Sequence, residues 1–122
     1  MARTAVTVTA LSGNSGVAQP AGTTIDPTNG HVINNAKPEQ LILRVTNTNG
    51  TQRTLTIKAG DYPPAVAAGL GDYTIVIAAT TGVAIVGPFE SGRFLQSDGT
   101  LQIDCEASMA GVIQAFEVTR KA

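Results

Sequence analysis

The chain has no tryptophan, one cysteine and one histidine. A single thiol cannot close an internal disulfide or build a cysteine-rich zinc site. A single imidazole leaves little for acid–base chemistry or metal binding. Charge is scarce too: charged residues are 14% of the 122, against about 25% in ordinary soluble domains. A net charge of −1 excludes the dense cationic surface that displaces counterions from nucleic acid. No apolar run nears the roughly 20 residues of a membrane helix. The opening Met1-Ala2-Arg3-Thr4 leads into polar alternation rather than a signal-peptide core. These absences predict a soluble chain kept in a cytosol-like compartment, with neither membrane nor nucleic acid as partner. The length suits one domain, long enough to bury a core without staples.

Threonine, glycine and alanine fill the gap left by charge; there are 16 Thr and 13 Gly. Such a surface is neutral and hydroxyl-rich, and near-zero charge removes the repulsion that keeps copies apart. Composition alone therefore fits two descriptions: a stable β-protein with a Thr-rich outer face, or a subunit that works packed against others.

Val, Ile and Thr are stiff at the first side-chain torsion and suit a pleated surface. Apolar residues alternate with polar ones at Val6/Val8, Leu41/Leu43/Val45, Leu55/Ile57 and Leu101/Ile103/Cys105, the pattern of antiparallel strands with one wet face. Residues 73–79 and 83–86 are apolar on both sides, which predicts central strands or a face covered by a partner. Residues 112–118 are ambiguous, since Gln114 interrupts one face and Glu117 the other. Turn signals at Asn47-Thr48-Asn49-Gly50, Ala79-Thr80-Thr81-Gly82, Ser97-Asp98-Gly99 and Ser108-Met109-Ala110-Gly111 predict links between successive strands, the first of them a hairpin. A strand is expected near 92–96, a bend or sheet switch at Gly87-Pro88, and at most one helical turn at 64–69. The expected fold is all-β: a single-domain antiparallel β-sandwich of jelly-roll or Ig-like type, with residues 39–122 as its core.

Residues 1–38 fit this scheme less well, because 12–38 is rich in Gly, Asn, Thr and Pro, with a short possible strand at 31–33 and only Asp26 and Lys37 charged. Structureless loops beyond roughly 12–15 residues are uncommon in compact domains. The segment is either a flexible surface excursion or an extended arm, pinned by Pro20 and Pro27, that lies along another protein. A second stiff segment, Tyr62-Pro63-Pro64, loses little entropy on docking. It reads equally as a contact surface or as a rigid turn capping the core.

Chemistry is hard to assemble from these residues. No Gly-x-Ser-x-Gly elbow is present, and nothing ties a serine and a carboxylate to His31. Cys105 follows the inward rhythm of its strand and reads as a small hydrophobe. Asp61 and Asp72 flank one loop and could hold a cation or serve as turn carboxylates. No calcium-loop or phosphate-loop spacing occurs. The scarcity of aromatics argues against a sugar cleft. The expectation is no enzyme, no cofactor and no metal.

Four stretches resemble a known group: Ile25-Asp26-Pro27-Thr28-Asn29-Gly30-His31-Val32-Ile33, Leu43-Arg44-Val45-Thr46-Asn47-Thr48, Ile57-Lys58-Ala59-Gly60 and Gly87-Pro88-Phe89-Glu90-Ser91-Gly92-Arg93-Phe94. Together they are similar to small β-rich virion proteins of tailed bacteriophages, chiefly those infecting actinobacteria. The resemblance implies a head decoration, or cement, protein on the capsid exterior, made in the host bacterial cytoplasm. It would be bound to the major capsid protein and to its own copies, with a trimer favoured. On that basis Ile25, Pro27, Asn29, His31, Val32 and Ile33 would carry the partner contact, followed by Tyr62, Pro63 and Pro64. The competing reading is a host-surface or carbohydrate-binding module of a tail or attachment apparatus.

Overall fold

A computed structural model describes residues 3–12, 16–60, 71–89 and 91–119. Ten strands account for most of them: β1 Thr4–Ala5, β2 Val8–Ser12, β3 Thr23–Thr24, β4 His31–Ile33, β5 Leu41–Asn47, β6 Arg53–Ile57, β7 Tyr73–Ile77, β8 Gly82–Val86, β9 Leu101–Cys105 and β10 Gly111–Thr119. A 3-10 turn at Pro38–Gln40 leads into β5, and one helical turn, α1, spans Ser91–Phe94. The helical turn replaces the strand expected near 92–96; of that strand only an isolated bridge between Leu95 and Leu101 exists. Residues 61–70 lie outside the described residues, and with them the helical turn expected at 64–69.

The protein is all-β, and its strands form two mixed sheets. Sheet A runs β1-β4-β9-β6-β7; sheet B runs β2-β10-β5-β8, with β3 also on β10. The alternation read from the sequence sets which side of each sheet is buried. In β5 every second residue from Leu41 to Asn47 is buried, and β9 buries Leu101, Ile103 and Cys105. With Leu55, Ile57, Ile33, Ile113 and Ala115 they make one apolar cluster drawn from both sheets.

Two expectations fail in instructive ways. The sheets are not purely antiparallel: β1 runs parallel to β4 and β2 parallel to β10. The N-terminal strand divides at Val6, giving its first half to sheet A and its second to sheet B. Nor does the Asn47-Thr48-Asn49-Gly50 turn make the hairpin expected of it, whereas the Ser97-Asp98-Gly99 turn does join antiparallel neighbours, Leu95 and Leu101. The segment between β5 and β6, the Ala78–Thr81 turn and the Ser108 turn each carry the chain from one sheet to the other. Two links stay within one sheet: β2 to β3 in sheet B, and β6 to β7 in sheet A, the longer of the two, which contains Pro63 and Pro64.

The three crossing turns meet at one end, held by asparagines. Asn47 is fully buried, and its amide Nδ2 donates to the carbonyls of Thr51, Ile77 and Ala78 at 3.1–3.3 Å. Its Oδ1 accepts the Asn49 N–H at 3.0 Å. Asn49 in turn donates to the Ser108 carbonyl at 2.8 Å. A crossing turn cannot continue a ladder, so its backbone groups need side-chain partners, which these amides supply. Gly111 completes the arrangement: its φ is 128°, and a Cβ there would overlap the carbonyl oxygen of Thr46.

Candidate interaction surface

Residues 23–33 are built into the sheets. β3 pairs with β10, and β4 lies inside sheet A between β1 and β9. Of the six residues expected to face a partner, Ile25, His31 and Ile33 are buried within the chain itself, at 6%, 0% and 1% exposure. The extended arm therefore does not hold for this stretch, and those three side chains have no surface to offer. Pro27 and Asn29 are half-buried in a turn, and Val32 is half-buried opposite Gln102. Tyr62, Pro63 and Pro64 lie outside the described residues.

The turn that links β3 to β4 is a dense polar knot. The Asp26 carboxylate accepts the Thr4 hydroxyl at 2.7 Å, the N–H groups of Thr28 and Asn29, and the Asn29 amide at 3.0 Å. These donors, the Thr4 hydroxyl foremost, hold its pKa below the usual carboxylate range. His31 uses both ring nitrogens. Nε2 accepts the Asp26 N–H at 2.9 Å, which places the proton on Nδ1, 3.2 Å from the Thr4 carbonyl. Burial lowers the pKa of this imidazole, which favours its neutral form. A histidine with both nitrogens engaged and no exposed atom cannot reach a substrate; it locks β1 against β4.

The remaining candidates for chemistry are equally tied up. Cys105 is buried, and burial, followed by the nearby Asp104 charge, pushes its thiol up to about 12. Asp72 accepts the Ala59 N–H at 2.6 Å and pairs with Lys58 at 3.1 Å; that backbone bond is the main cause of its lowered pKa. Asp61 lies outside the described residues. Among the described residues, no three His, Cys, Asp or Glu side chains converge in a way that could hold a metal.

What the structure does offer is a difference between the outward sides of the two sheets. On sheet A, Thr54, Thr56, Gln102 and Asp104 alternate with the buried positions of β6 and β9. Arg3 binds Asp104 at 2.5 Å, with Lys58 at 3.9 Å from it. On sheet B the corresponding positions are Ile42, Arg44 and Thr46, Val112 to Val118 in alternation, and Val83 and Ile85, by the registers of β5 with β10 and β8. Arg44 is the one formal charge in that set, and it is bound to Gln114 at 2.9 Å. Gln114 is itself covered, donating to the Pro20 carbonyl at 2.5 Å. Residues 16–22 thus lie against the chain's own sheet B. Beside them an apolar groove of about 500 Å³ is lined by Leu11, Val17, Ile42, Phe116 and Val118.

The exposure concentrates at one side. β7 and β8 end their respective sheets, and neither holds a charge or a proline. Together they expose Tyr73, Val76, Val83 and Ile85. A recess of about 360 Å³ opens beside them, bounded by Tyr73, Ile85, Pro88, Arg93 and Phe94. Its wall is braced by Phe89 and Phe94 in edge-to-face contact at 5.5 Å, with the Arg93 guanidinium 4.8 Å from the Phe94 ring. The sequence carried a signal for this surface: both strands are apolar on both sides. It could not say that they are edges rather than centres. Ile42 and Phe116 gave no separate signal, since Gln114 masked the apolar side of β10.

No family model, curated protein or solved structure matches this chain.

Proposed function

We propose that the chain is a structural assembly subunit: a virion protein that decorates and stabilises the outside of a bacteriophage capsid through contacts with the major capsid protein and its own copies. The observation that carries this reading is the uncharged, apolar side at β7 and β8, continuing onto the outward side of sheet B. An apolar side rimmed by polar residues is what a docked subunit buries. The sequence resemblance points the same way and favours a trimer. The two sheets, sharing one buried cluster, are read as a sandwich of jelly-roll or Ig-like type. In this reading the protein performs no catalysis and holds no cofactor.

The test is co-sedimentation of the purified chain with capsid shells, beside a panel of cell-surface glycans. Saturable binding to shells with no glycan retention supports the decoration reading. Glycan binding with no affinity for shells replaces it with the host-surface module. The recess edged by Tyr73, Pro88, Phe94 and Arg93 is the feature that favours that second reading, because rings and a guanidinium are what sugar faces and hydroxyls meet.

A further inference from the structure

Strand β8 ends sheet B, and among the described residues nothing pairs with its second edge. Natural sheets guard such an edge with lysine, proline, a bulge or brevity. At one end of sheet A the guard is visible: β1 is two residues long, and Arg3 beside it is clamped to Asp104. β8 has no guard. Its sequence is Gly-Val-Ala-Ile-Val, and its outward side chains, Val83 and Ile85, are 46% and 64% exposed.

We propose that β8 pairs antiparallel with β8 of a second copy of this chain, about a two-fold axis at Ala84. The inference rests on the assembly-subunit reading and commits to a two-fold pair in place of the trimer. The strand is complementary to itself. Centred on Ala84, the pairing sets Val83 opposite the partner's Ile85, and Ile85 opposite the partner's Val83. Four branched apolar side chains then form one row on the outward side, directly opposed as cross-strand pairs require. No charge on the strand meets its own copy, and the alternating N–H and C=O groups of each edge satisfy the other. β7 is the poorer candidate: centred on Ile75, it would set Thr74 against Val76. A five-residue edge falls short of the roughly 1,200–2,000 Å² that stable complexes bury. The pair is therefore weak between free copies, and it strengthens when both are held on one particle, where the effective concentration is high.

Register is tested with single cysteines. Val83→Cys and Ile85→Cys are each oxidised alone and as an equal mixture. Opposed positions stand about 4.5–5.5 Å apart between Cα atoms, whereas like positions are diagonal, at about 7–8 Å, beyond disulfide reach. The mixture should cross-link on the order of tenfold faster than either variant alone; Cys105 is buried and takes no part. No cross-linking, or equal rates in all three samples, overturns the proposal. A second measurement is sedimentation equilibrium of the full chain up to millimolar concentration. Wild type should show a monomer–dimer equilibrium that Ile85→Lys weakens at least tenfold. A wild type that stays monomeric, or a trimer indifferent to Ile85→Lys, also overturns it. Cross-linking at the expected register by a chain that ignores capsid shells refutes the decoration reading and leaves the pair standing. Shell binding without such cross-linking does the reverse.

Discussion

Residues 23–33 and strand β8 make a reversed pair. The first is polar, nearly uncharged and rich in turn residues, and the sequence reads it as reaching outward. It lies inside, with Ile25, His31 and Ile33 buried and Asp26 accepting four hydrogen bonds. The second is wholly apolar and reads as a central strand or as a face covered by a partner; it ends its sheet with Val83 and Ile85 in the open. Polarity predicts exposure only when the polar groups have no partner of their own. A segment with donors and acceptors correctly spaced for one another can be buried at little cost. A bare apolar edge is stable within its own chain, and its pairing capacity is left for another.

The largest effect that would break this contrast is truncation. A chain beginning at Ala36 loses β1 to β4, and with them the core residues Val6, Ile25 and Ile33. It should show no cooperative thermal transition. A truncated chain that melts cooperatively would restore residues 1–35 to the status of a separable arm. At a single site, Ile33→Ala should cost about 2–5 kcal/mol in denaturant unfolding, the usual range for emptying a packed position.

Asn47 applies the same logic at the crossing turns. Asn47→Ala removes the donor shared by the carbonyls of Thr51, Ile77 and Ala78. The expected loss is about 2–4 kcal/mol, because buried acceptors are left without partners. Asn49→Ala, at a half-exposed position, should lose less. Equal losses would show that the crossing turns are held by packing rather than by these amides.

The histidine gives the contrast a pH axis. His31 has its folded pKa below the ordinary 6.5 because it is buried, so the unfolded chain binds its proton first. Stability is therefore full above about pH 6.5 and falls as pH drops through the lowered folded value. The second ring proton would also face the Asp26 N–H, removing the acceptor that N–H now uses. Asp26, Asp72, Asp98 and Glu106 are held low by their donors. They lose their contribution in a separate window, below the ordinary carboxylate range near 4. Unfolding free energy measured from pH 8 to pH 3 should show both steps, and His31→Gln should remove the upper step while leaving the lower.

Much of the fold is legible in the sequence, and the reasons are local. Period two in residues 41–47, 53–57 and 101–105 marks both the strands and their buried sides, because the core selects every second residue. Connectivity is not legible. Asn-Gly and Ser-Gly signals report that the chain turns; they do not report whether the next strand lies in the same sheet. That is decided by which buried groups Asn47 and Asn49 reach across space. The interaction surface was half legible. The two-sided apolarity of 73–79 and 83–86 was visible, but edge position is a property of the whole sheet. Gln114, read as interrupting a face, is covered by residues 16–22 and leaves the apolar positions around it intact.

The smallest expected stability effect is the sharpest test of the comparison. Ile85→Thr shortens a side chain that is 64% exposed, and Val83→Thr changes one that is 46% exposed. Threonine keeps the β-branched shape that suits a strand, so the fold should notice little: within about 0.5 kcal/mol, as for surface positions generally. What should change is association, since hydroxyls opposite one another across a junction must be desolvated or hydrogen-bonded before the strands close. The double variant should bind less of a dye that reports exposed apolar surface and should remain monomeric at concentrations where wild type self-associates. Its melting curve at low concentration should overlay the wild-type curve. If the double variant instead loses more than about 1 kcal/mol, those side chains are already buried within the chain, and β8 joins residues 23–33 as part of the interior rather than standing against it.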